Sequence, residues 1–160
     1  MTVRKATSDD APAAARLLAT VAEEGTIAAE PPVDVEARAE KFRQAIESGG
    51  PAAVLILEED GRMVGHAGVQ ELETPGVFTF GMAVHPDARG RGGGRALLRA
   101  ILEHARACGA HKVELEVWPD NARAIALYAS SGFEVEGLRR DHYRRRDGTL
   151  RSALLMARAV

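Results

Sequence analysis

The chain has 160 residues, of which 46% are hydrophobic and 28% are charged, so residues 1–160 can form one domain with its own core. A formal net charge of -2 gives no overall basic field, which argues against nucleic acid and anionic membranes as partners. The single cysteine, Cys108, excludes an internal disulfide and a cysteine-based zinc site, and no metal is expected. No apolar stretch suits a signal segment or a membrane span, so we expect a cytoplasmic protein.

The first half of the chain predicts a strand, two helices and a strand pair. Capping side chains from Ser8 to Asp10 precede the first helix, and Asp34 caps the second. The dipeptide Asp60-Gly61 joins the strand pair and is a strong hairpin signal. In chain order the predicted segments are residues 2–6 (strand), 11–25 and 35–47 (helices), and 52–72 (two strands).

The second half alternates strands with helices. The helix after the glycine-rich stretch has an apolar face that includes Cys108, which we expect to be an inert buried thiol. In the strand after it, Val113, Leu115 and Val117 alternate with Glu114, Glu116 and Trp118 on the other face. The predicted segments are residues 76–86 (strand), 94–108 (helix), 111–118 (strand), 121–132 (helix), 133–138 and 150–160 (strands).

This order of elements predicts an α/β (α+β) domain with a mixed central sheet of about seven strands and about four helices. The only clear parallel crossover joins the fourth strand to the fifth through the third helix. That crossover should be right-handed.

The stretch Arg89 to Arg95, "RGRGGGR", separates the fourth strand from the third helix. The dinucleotide pattern GxGxxG fails here in register, and no lysine follows as a Walker loop requires. A glycine-rich loop that leads into a helix N-terminus can instead form a cradle for an anion such as pyrophosphate. Arginines would add charged donors to it. The alternative is a flexible turn with solvated arginines.

Two blocks in this chain resemble the GNAT superfamily of N-acetyltransferases. The first, "VHPDARGRGGGRALL", fits the acyl-CoA-binding pattern R/Q-x-x-G-x-G/A, and the second, "NARAIALYASSGFEVEG", is similar to the family segment N-x-x-A-x-x-L-Y-x-x-x-G-F. Gly93 departs from the family, which usually has an aliphatic residue there, and we expect this to cost packing and to loosen the cradle. The resemblance covers nearly the whole chain and implies acetyl-CoA as acetyl donor.

The resemblance also implies site residues. The fourth and fifth strands would splay apart, and backbone groups of Met82, Ala83 and Val84 would hold the pantetheine arm. Asn121 would contact the cofactor, and Tyr128 would protonate the leaving thiolate, although a tyrosine that only packs in the core is the alternative. The pyrophosphate cradle would comprise Arg89, Gly90, Arg91, Gly92, Gly93, Gly94 and Arg95.

The residues that would act on the acceptor are less clear from the sequence. Attack on a thioester requires a neutral amine, so a general base is expected. Glu71 is the named candidate, with Glu73, Glu116 and His85 as alternatives. The acceptor site should be built from residues 23–34, where Glu23, Glu24 and Glu30 could attract a cationic amine, and from the loop after the sixth strand. The arginine-rich segment 139–146 could recognise a substrate carboxylate, contact the 3'-phosphate of CoA or bind a second subunit, and a solvated β-hairpin is the default.

Three functions from different classes remain open at this point. The first is acetyl transfer to a primary amine. Within it, a small molecule such as an amino acid or analogue is favoured over a protein N-terminus or lysine. The second is a non-catalytic acyl-CoA sensor, against which Tyr128 argues. The third is a nucleotide-binding protein, which the failed glycine registers disfavour. A homodimer is possible for any of them.

Overall fold

The computed structural model describes all residues 1–160 and consists of seven strands, four α-helices and two short 3₁₀ helices. The strands are β1 (Thr2–Lys5), β2 (Ala53–Glu59), β3 (Arg62–Glu71), β4 (Val77–Val84), β5 (Lys112–Val117), β6 (Glu134–Arg144) and β7 (Leu150–Ala159). The helices are α1 (Ala11–Ala22), α2 (Val35–Glu47), α3 (Gly93–Ala107) and α4 (Ala122–Ser130), and the 3₁₀ helices are Ser8–Asp10 and Pro86–Ala88.

All seven strands form one sheet in the order β1-β2-β3-β4-β5-β7-β6. Neighbouring strands are antiparallel except β4 and β5, which are parallel because α3 carries the chain back over the sheet between them. This arrangement confirms the predicted mixed sheet, the four helices and the single parallel crossover. None of the helices is both long enough and apolar enough to cross a membrane.

The main core lies between α3 and one face of the sheet. Alternate residues of β4, Phe78 and Phe80, point to this side and pack with α3 residues such as Leu97 and Ile101. Tyr128 of α4 and residues of β5 complete the same cluster. Ala83, on the opposite face of β4, packs instead against α1. The sheet therefore has an α3 face and an α1/α2 face.

Two sequence expectations are corrected by the structure. Cys108 is exposed, because α3 ends at Ala107 and the cysteine lies at the solvated helix end. β6 extends six residues beyond the predicted strand, so the segment 139–144 pairs with β7 with an irregular register.

Candidate active site

A cleft opens where β4 and β5 separate. The two strands pair only from Val77 to Thr79, opposite residues 112–114, although both strands continue beyond that point. The remaining edge of β4, including Met82 and Ala83, therefore has no partner strand on this side. A cavity of about 920 Å³ occupies this gap and reaches both faces of the sheet. This is the splayed pair that the family resemblance implies.

Gly90 and Gly92 form the open part of the predicted cradle. Both have a positive φ, 76° and 85° respectively, which glycine adopts without steric strain. Gly92 is also the N-cap residue of α3, and the first turn of α3 contains no acidic residue. A Cβ built on either glycine would have no other atom within 4 Å, so space for a ligand lies beside the backbone. The free N–H groups and the dipole of α3 make this position suitable for an anion.

Gly93 and Gly94 are close-packed rather than open. A Cβ on Gly93 would lie 2.7 Å from Leu57 Cδ2, and one on Gly94 would lie 3.2 Å from Leu127 Cδ2. The sequence predicts that Gly93 costs packing, and that prediction is wrong. The missing Cβ is what allows α3 to approach β2.

The three arginines of the cradle have different surroundings. Arg89 makes a bidentate ion pair with Glu24, at 2.9 and 2.7 Å, and its Nε donates to the Val84 carbonyl. Arg91 pairs with Glu59 and donates to a backbone carbonyl. Arg95 is exposed and has no hydrogen-bond or ion-pair partner. The Arg95 side chain is therefore the one of the three that is available to a phosphate without breaking another contact.

Tyr128 reaches the cleft from the α3 face of the sheet. Its ring packs edge-on against Phe80 and beside Phe133, with centroid distances of 5.8 and 5.9 Å. The residue is 8% exposed, lines the cleft, and makes no hydrogen bond through its hydroxyl. Burial raises the pKa of Tyr128 to about 12. The phenol therefore keeps its proton at neutral pH and lines the cleft.

Asn121 lines the cleft, but its side chain already has two structural partners. The Oδ1 atom accepts from Ala124 N–H at 3.2 Å and caps α4, while Nδ2 donates to the Thr26 carbonyl at 3.1 Å. Asn121 therefore joins the start of α4 to the segment between α1 and α2. Contact with a cofactor through its side-chain amide would require one of these bonds to open or to be shared.

The four predicted base candidates differ in position. Glu71 is not among the cleft residues, because its carboxylate accepts from Gly76 N–H at 2.7 Å in the turn before β4. Glu73 and His85 do not line the cleft either. Glu116 does, on the face of β5 opposite Leu115. The structure thus brings Glu116, and not Glu71, to the site.

Two donors hold the Glu116 carboxylate in place. Arg139 Nη1 lies 2.8 Å from Oε1, and the Tyr143 hydroxyl donates to Oε2. Burial, followed by the hydrogen bond to Glu116, raises the pKa of Tyr143, so this phenol stays protonated as a donor. The carboxylate still contributes to the cleft wall, with 29% of the side chain exposed.

The segment between α1 and α2 forms a wall of the cleft and is fastened to the β6–β7 hairpin. Arg145 donates to the Ala28 carbonyl, and the backbone N–H of Arg146 donates to Glu30. Arg151 donates to the Gly25 carbonyl and lies 4.5 Å from the centre of the Trp118 ring. The arginine-rich hairpin therefore supports this wall, and Glu30, like Glu24, is already neutralised by an arginine.

Three further cleft residues are absent from the sequence predictions. Arg38 and Phe42 belong to α2, and His66 belongs to β3, all on the α1/α2 face. His66 is 3% exposed, and neither ring nitrogen has a hydrogen-bond partner. Burial, with a smaller effect of the Arg38 charge, lowers the pKa of His66 to about 4. A single histidine in an apolar strand gives no local signal of a site.

Residues 16–133 match the model of the acetyltransferase (GNAT) family, which is most of the chain. A solved structure, the ribosomal-protein-alanine N-acetyltransferase from Brucella melitensis, is similar with a TM-score of 0.88 and 28% identity over 100% of both chains. The yncA protein of Salmonella typhimurium, solved with its cofactor acetyl-CoA, has a TM-score of 0.86 and 26% identity, covering 99% of this chain and 93% of that one.

A curated relative, the N-alpha-acetyltransferase RimI of Mycobacterium tuberculosis, is 45% identical over 87 residues. That match spans 52% of this chain and about half, 53%, of the relative. The chain described here belongs to the acetyltransferase (GNAT) family. This confirms the sequence resemblance, together with the enzyme class and the acetyl donor that it implies.

Proposed function

We propose that the protein transfers the acetyl group of acetyl-CoA to the α-amino group of a protein or peptide N-terminus. The observation that carries the proposal is the gap between β4 and β5. At this gap the cleft has a proton donor, Tyr128, on one face of the sheet and a carboxylate, Glu116, on the other. Direct transfer needs one group to accept a proton from the amine and one to protonate the leaving thiolate.

The residues present suit acetyl-CoA. The open backbone at Gly90 and Gly92, the α3 N-terminus and unpaired Arg95 fit a pyrophosphate. The unpaired edge of β4 at Met82 and Ala83 offers backbone groups to the amides of a pantetheine arm. When bound there, acetyl-CoA would supply the acetyl thioester that the amine attacks.

Glu116 is the residue that we assign to accept the amine proton. It is the cleft carboxylate, and Leu115 and Val117 beside it point into the α3-side core. Its side chain therefore points to the α1/α2 face, from which the acceptor would enter. Arg139 and the Tyr143 hydroxyl fix the carboxylate so that little reorganisation is needed when the proton arrives.

Tyr128 is assigned to protonate the sulfur of the leaving group. Its raised pKa, about 12, keeps the phenol protonated at neutral pH, so the proton is in place when the thiolate leaves. The packing of its ring on Phe80 and Phe133 restricts the direction of the hydroxyl. The hydroxyl has no competing hydrogen bond within the protein.

An α-amino group fits the site better than a lysine side chain. Its pKa near 8 makes the neutral form accessible, whereas a lysine near 10.4 needs stronger help. Of the acidic residues expected to attract a cationic amine, Glu24 and Glu30 are paired with arginines, and Glu23 does not line the cleft. The sequence alone favours a small amine as acceptor. Two of the similar proteins are named for protein alanine or α-amino acetylation, and for this reason we place the peptide N-terminus first.

Two peptides that differ only in the amine offered test this proposal. One has a free N-terminal alanine and no lysine, and the other has a blocked N-terminus and one lysine. Mass spectrometry after incubation with acetyl-CoA should show acetylation of the first and much less of the second. Preferential acetylation of the lysine peptide would contradict the assigned acceptor.

Two single substitutions in β5 test whether Glu116 is the general base. Glu116→Gln should lower kcat/KM for the peptide by roughly 10²-fold, the scale of general base catalysis. Glu114→Gln is the control, since Glu114 lies two residues away on the same face but outside the cleft. Equal activity of the two variants would show that Glu116 is not the base.

A further inference from the structure

On the α1/α2 face of the cleft, two polar side chains have no hydrogen-bond or ion-pair partner within the protein. His66 is 3% exposed, with both ring nitrogens unpartnered, and half-buried Arg38 takes part in no side-chain hydrogen bond or ion pair. Buried polar groups in folded proteins are nearly always satisfied. An unsatisfied imidazole next to an unpaired guanidinium therefore indicates a ligand that supplies the missing contacts.

Both residues lie close to the reacting part of the cleft. His66 is directly opposite Ala83 in the register of β3 and β4, one strand from the gap. The next pair on the same face is Gly68 opposite Gly81, where no side chain fills the space. The Phe42 ring, one turn of α2 after Arg38, packs edge-on against His66 at 5.0 Å. One side of a pocket is thus formed by Arg38, Phe42 and His66, and the space over Gly68 and Gly81 is unfilled. We call this pocket the α2 pocket.

The charges around the α2 pocket favour an anion. The carboxylate that lines this cavity, Glu116, already pairs with Arg139, and Glu24 and Glu30 of the neighbouring segment also pair with arginines. Arg38 has no ion-pair partner, and it lines the same cavity as His66. A neutral imidazole offers one hydrogen-bond donor, and a guanidinium offers a planar pair of donors that matches a carboxylate.

We propose that Arg38 and His66 bind a carboxylate of the acceptor, carried a few bonds from the amine that is acetylated. The inference rests on the function proposed above, because it assumes that the acceptor occupies the α1/α2 face of the gap. The carboxylate has two chemical sources. It is either the α-carboxylate of a free amino acid or an acidic side chain near a peptide N-terminus.

Matched acceptors test the subsite and distinguish the two sources. One pair is an alanine-initiated peptide amide with glutamate or glutamine at the second position, and the other is free alanine and alaninamide. In the wild-type protein the carboxylate member of at least one pair should have a kcat/KM about tenfold higher or more, mainly through KM. Preference confined to the peptide pair identifies the side chain as the source, and preference confined to the alanine pair identifies the α-carboxylate.

Substitutions on α2 test whether Arg38 causes the preference for acceptors with a carboxylate. Arg38→Gln should reduce the preference to near one, and Arg38→Glu should favour a lysine-containing peptide of the same length. Lys41→Gln is the control, because it removes the same charge from an exposed position of the same helix, outside the cleft. Lys41→Gln should retain the full preference.

Substitutions of His66 test the second contact. His66→Phe removes both ring nitrogens and should weaken the preference, while His66→Gln keeps a donor and should retain more of it. The KM for acetyl-CoA is measured in every variant, since general damage to the fold would raise that value as well.

Two results would overturn the proposal: no carboxylate preference in the wild-type protein, or a preference that survives in Arg38→Gln. Calorimetric titration of the same acceptors in the presence of CoA measures the preference without turnover. A preference for carboxylate binding with no acetylated product would support the α2 pocket while rejecting the proposed function. The two inferences therefore fail separately.

Discussion

The protonation state, accessibility and ion pairing of each residue in this cleft depend on the groups around it. Tyr128 keeps its proton at neutral pH because burial of the residue raises its pKa, and Glu116 is accessible because strand alternation turns it away from the core. Arg89, which the sequence places in the cradle, is instead committed to Glu24. Residue type alone would not have separated these three cases.

His66 should make the stability of the protein sensitive to acid. Its pKa is about 4 in the folded protein and 6.5 ordinarily, so folding favours the neutral imidazole. This contribution to the free energy of unfolding is complete above pH 6.5 and is lost as the pH falls from 6.5 towards 4. The loss is at most about 1.4 kcal/mol per pH unit for a single group.

Denaturant unfolding at pH 7 and pH 5 measures this effect. His66→Gln should lose less stability between the two values than the wild-type protein does. The exposed His142 serves as control, and His142→Gln should lose as much as the wild type. An identical acid response in His66→Gln and the wild type would show that His66 is not held neutral by the fold.

At the scale of elements, the junction between β4 and α3 has two separate tasks. Gly90 and Gly92 leave room beside the backbone for a ligand, while Gly93 and Gly94 let α3 pack closely on its neighbours. A run of glycines in the sequence indicates that side chains are not tolerated there. It does not show which glycine serves binding and which serves packing, because that depends on Leu57, which lies 36 residues earlier in the chain.

Gly92→Asn should weaken acetyl-CoA binding tenfold or more without unfolding the protein. Asparagine tolerates the positive φ of 85° better than other side chains, but it would occupy the space assigned to phosphate. Gly109→Asn is the matched control at the other end of α3, where φ is 84° and the added Cβ also meets no atom within 4 Å. Equal acetyl-CoA affinity in the two variants, measured by calorimetry, would refute the cradle.

Gly93→Ala should instead destabilise the fold. The new Cβ would lie 2.7 Å from Leu57 Cδ2, and such overpacking costs about 1 to 3 kcal/mol, which outweighs the gain in helix propensity. Gly81→Ala is the control for stability, since its added Cβ would meet nothing within 4 Å. Thermal unfolding should show a lower midpoint for Gly93→Ala alone, and an unchanged midpoint would mean that α3 can move away from β2.

At the scale of the whole molecule, the site depends on contacts between distant parts of the chain. Local patterns predict the seven strands, the four helices, the cradle and Tyr128, because each is encoded within a few neighbouring residues. The pairing of Arg89 with Glu24, 65 residues apart, and the α2 pocket arise only when α1, α2 and the sheet come together. For the same reason Glu71 was a wrong expectation: its hydrogen bond to the Gly76 turn keeps it outside the cleft.

Hydrogen bonds also connect residues 23–34 to the β6–β7 hairpin, which is distant in the chain. Hydrogen bonds from Arg145, Arg146 and Arg151 connect the two segments, and Trp118 packs beneath them. These contacts build one wall of the cleft from parts of the chain more than 100 residues apart. The arginine-rich segment thus has a structural role that its composition alone leaves open.

The central claim is that the gap between β4 and β5 binds acetyl-CoA beside Tyr128, which protonates the leaving thiolate. The most direct measurement compares kcat and acetyl-CoA affinity in the wild type and in Tyr128→Phe, which keeps the ring packing on Phe80 and Phe133. We expect kcat to fall by about 10²-fold to 10⁴-fold while the affinity for acetyl-CoA changes little. Unchanged turnover would contradict the role of Tyr128, and unmeasurable acetyl-CoA binding by the wild type would contradict the site itself.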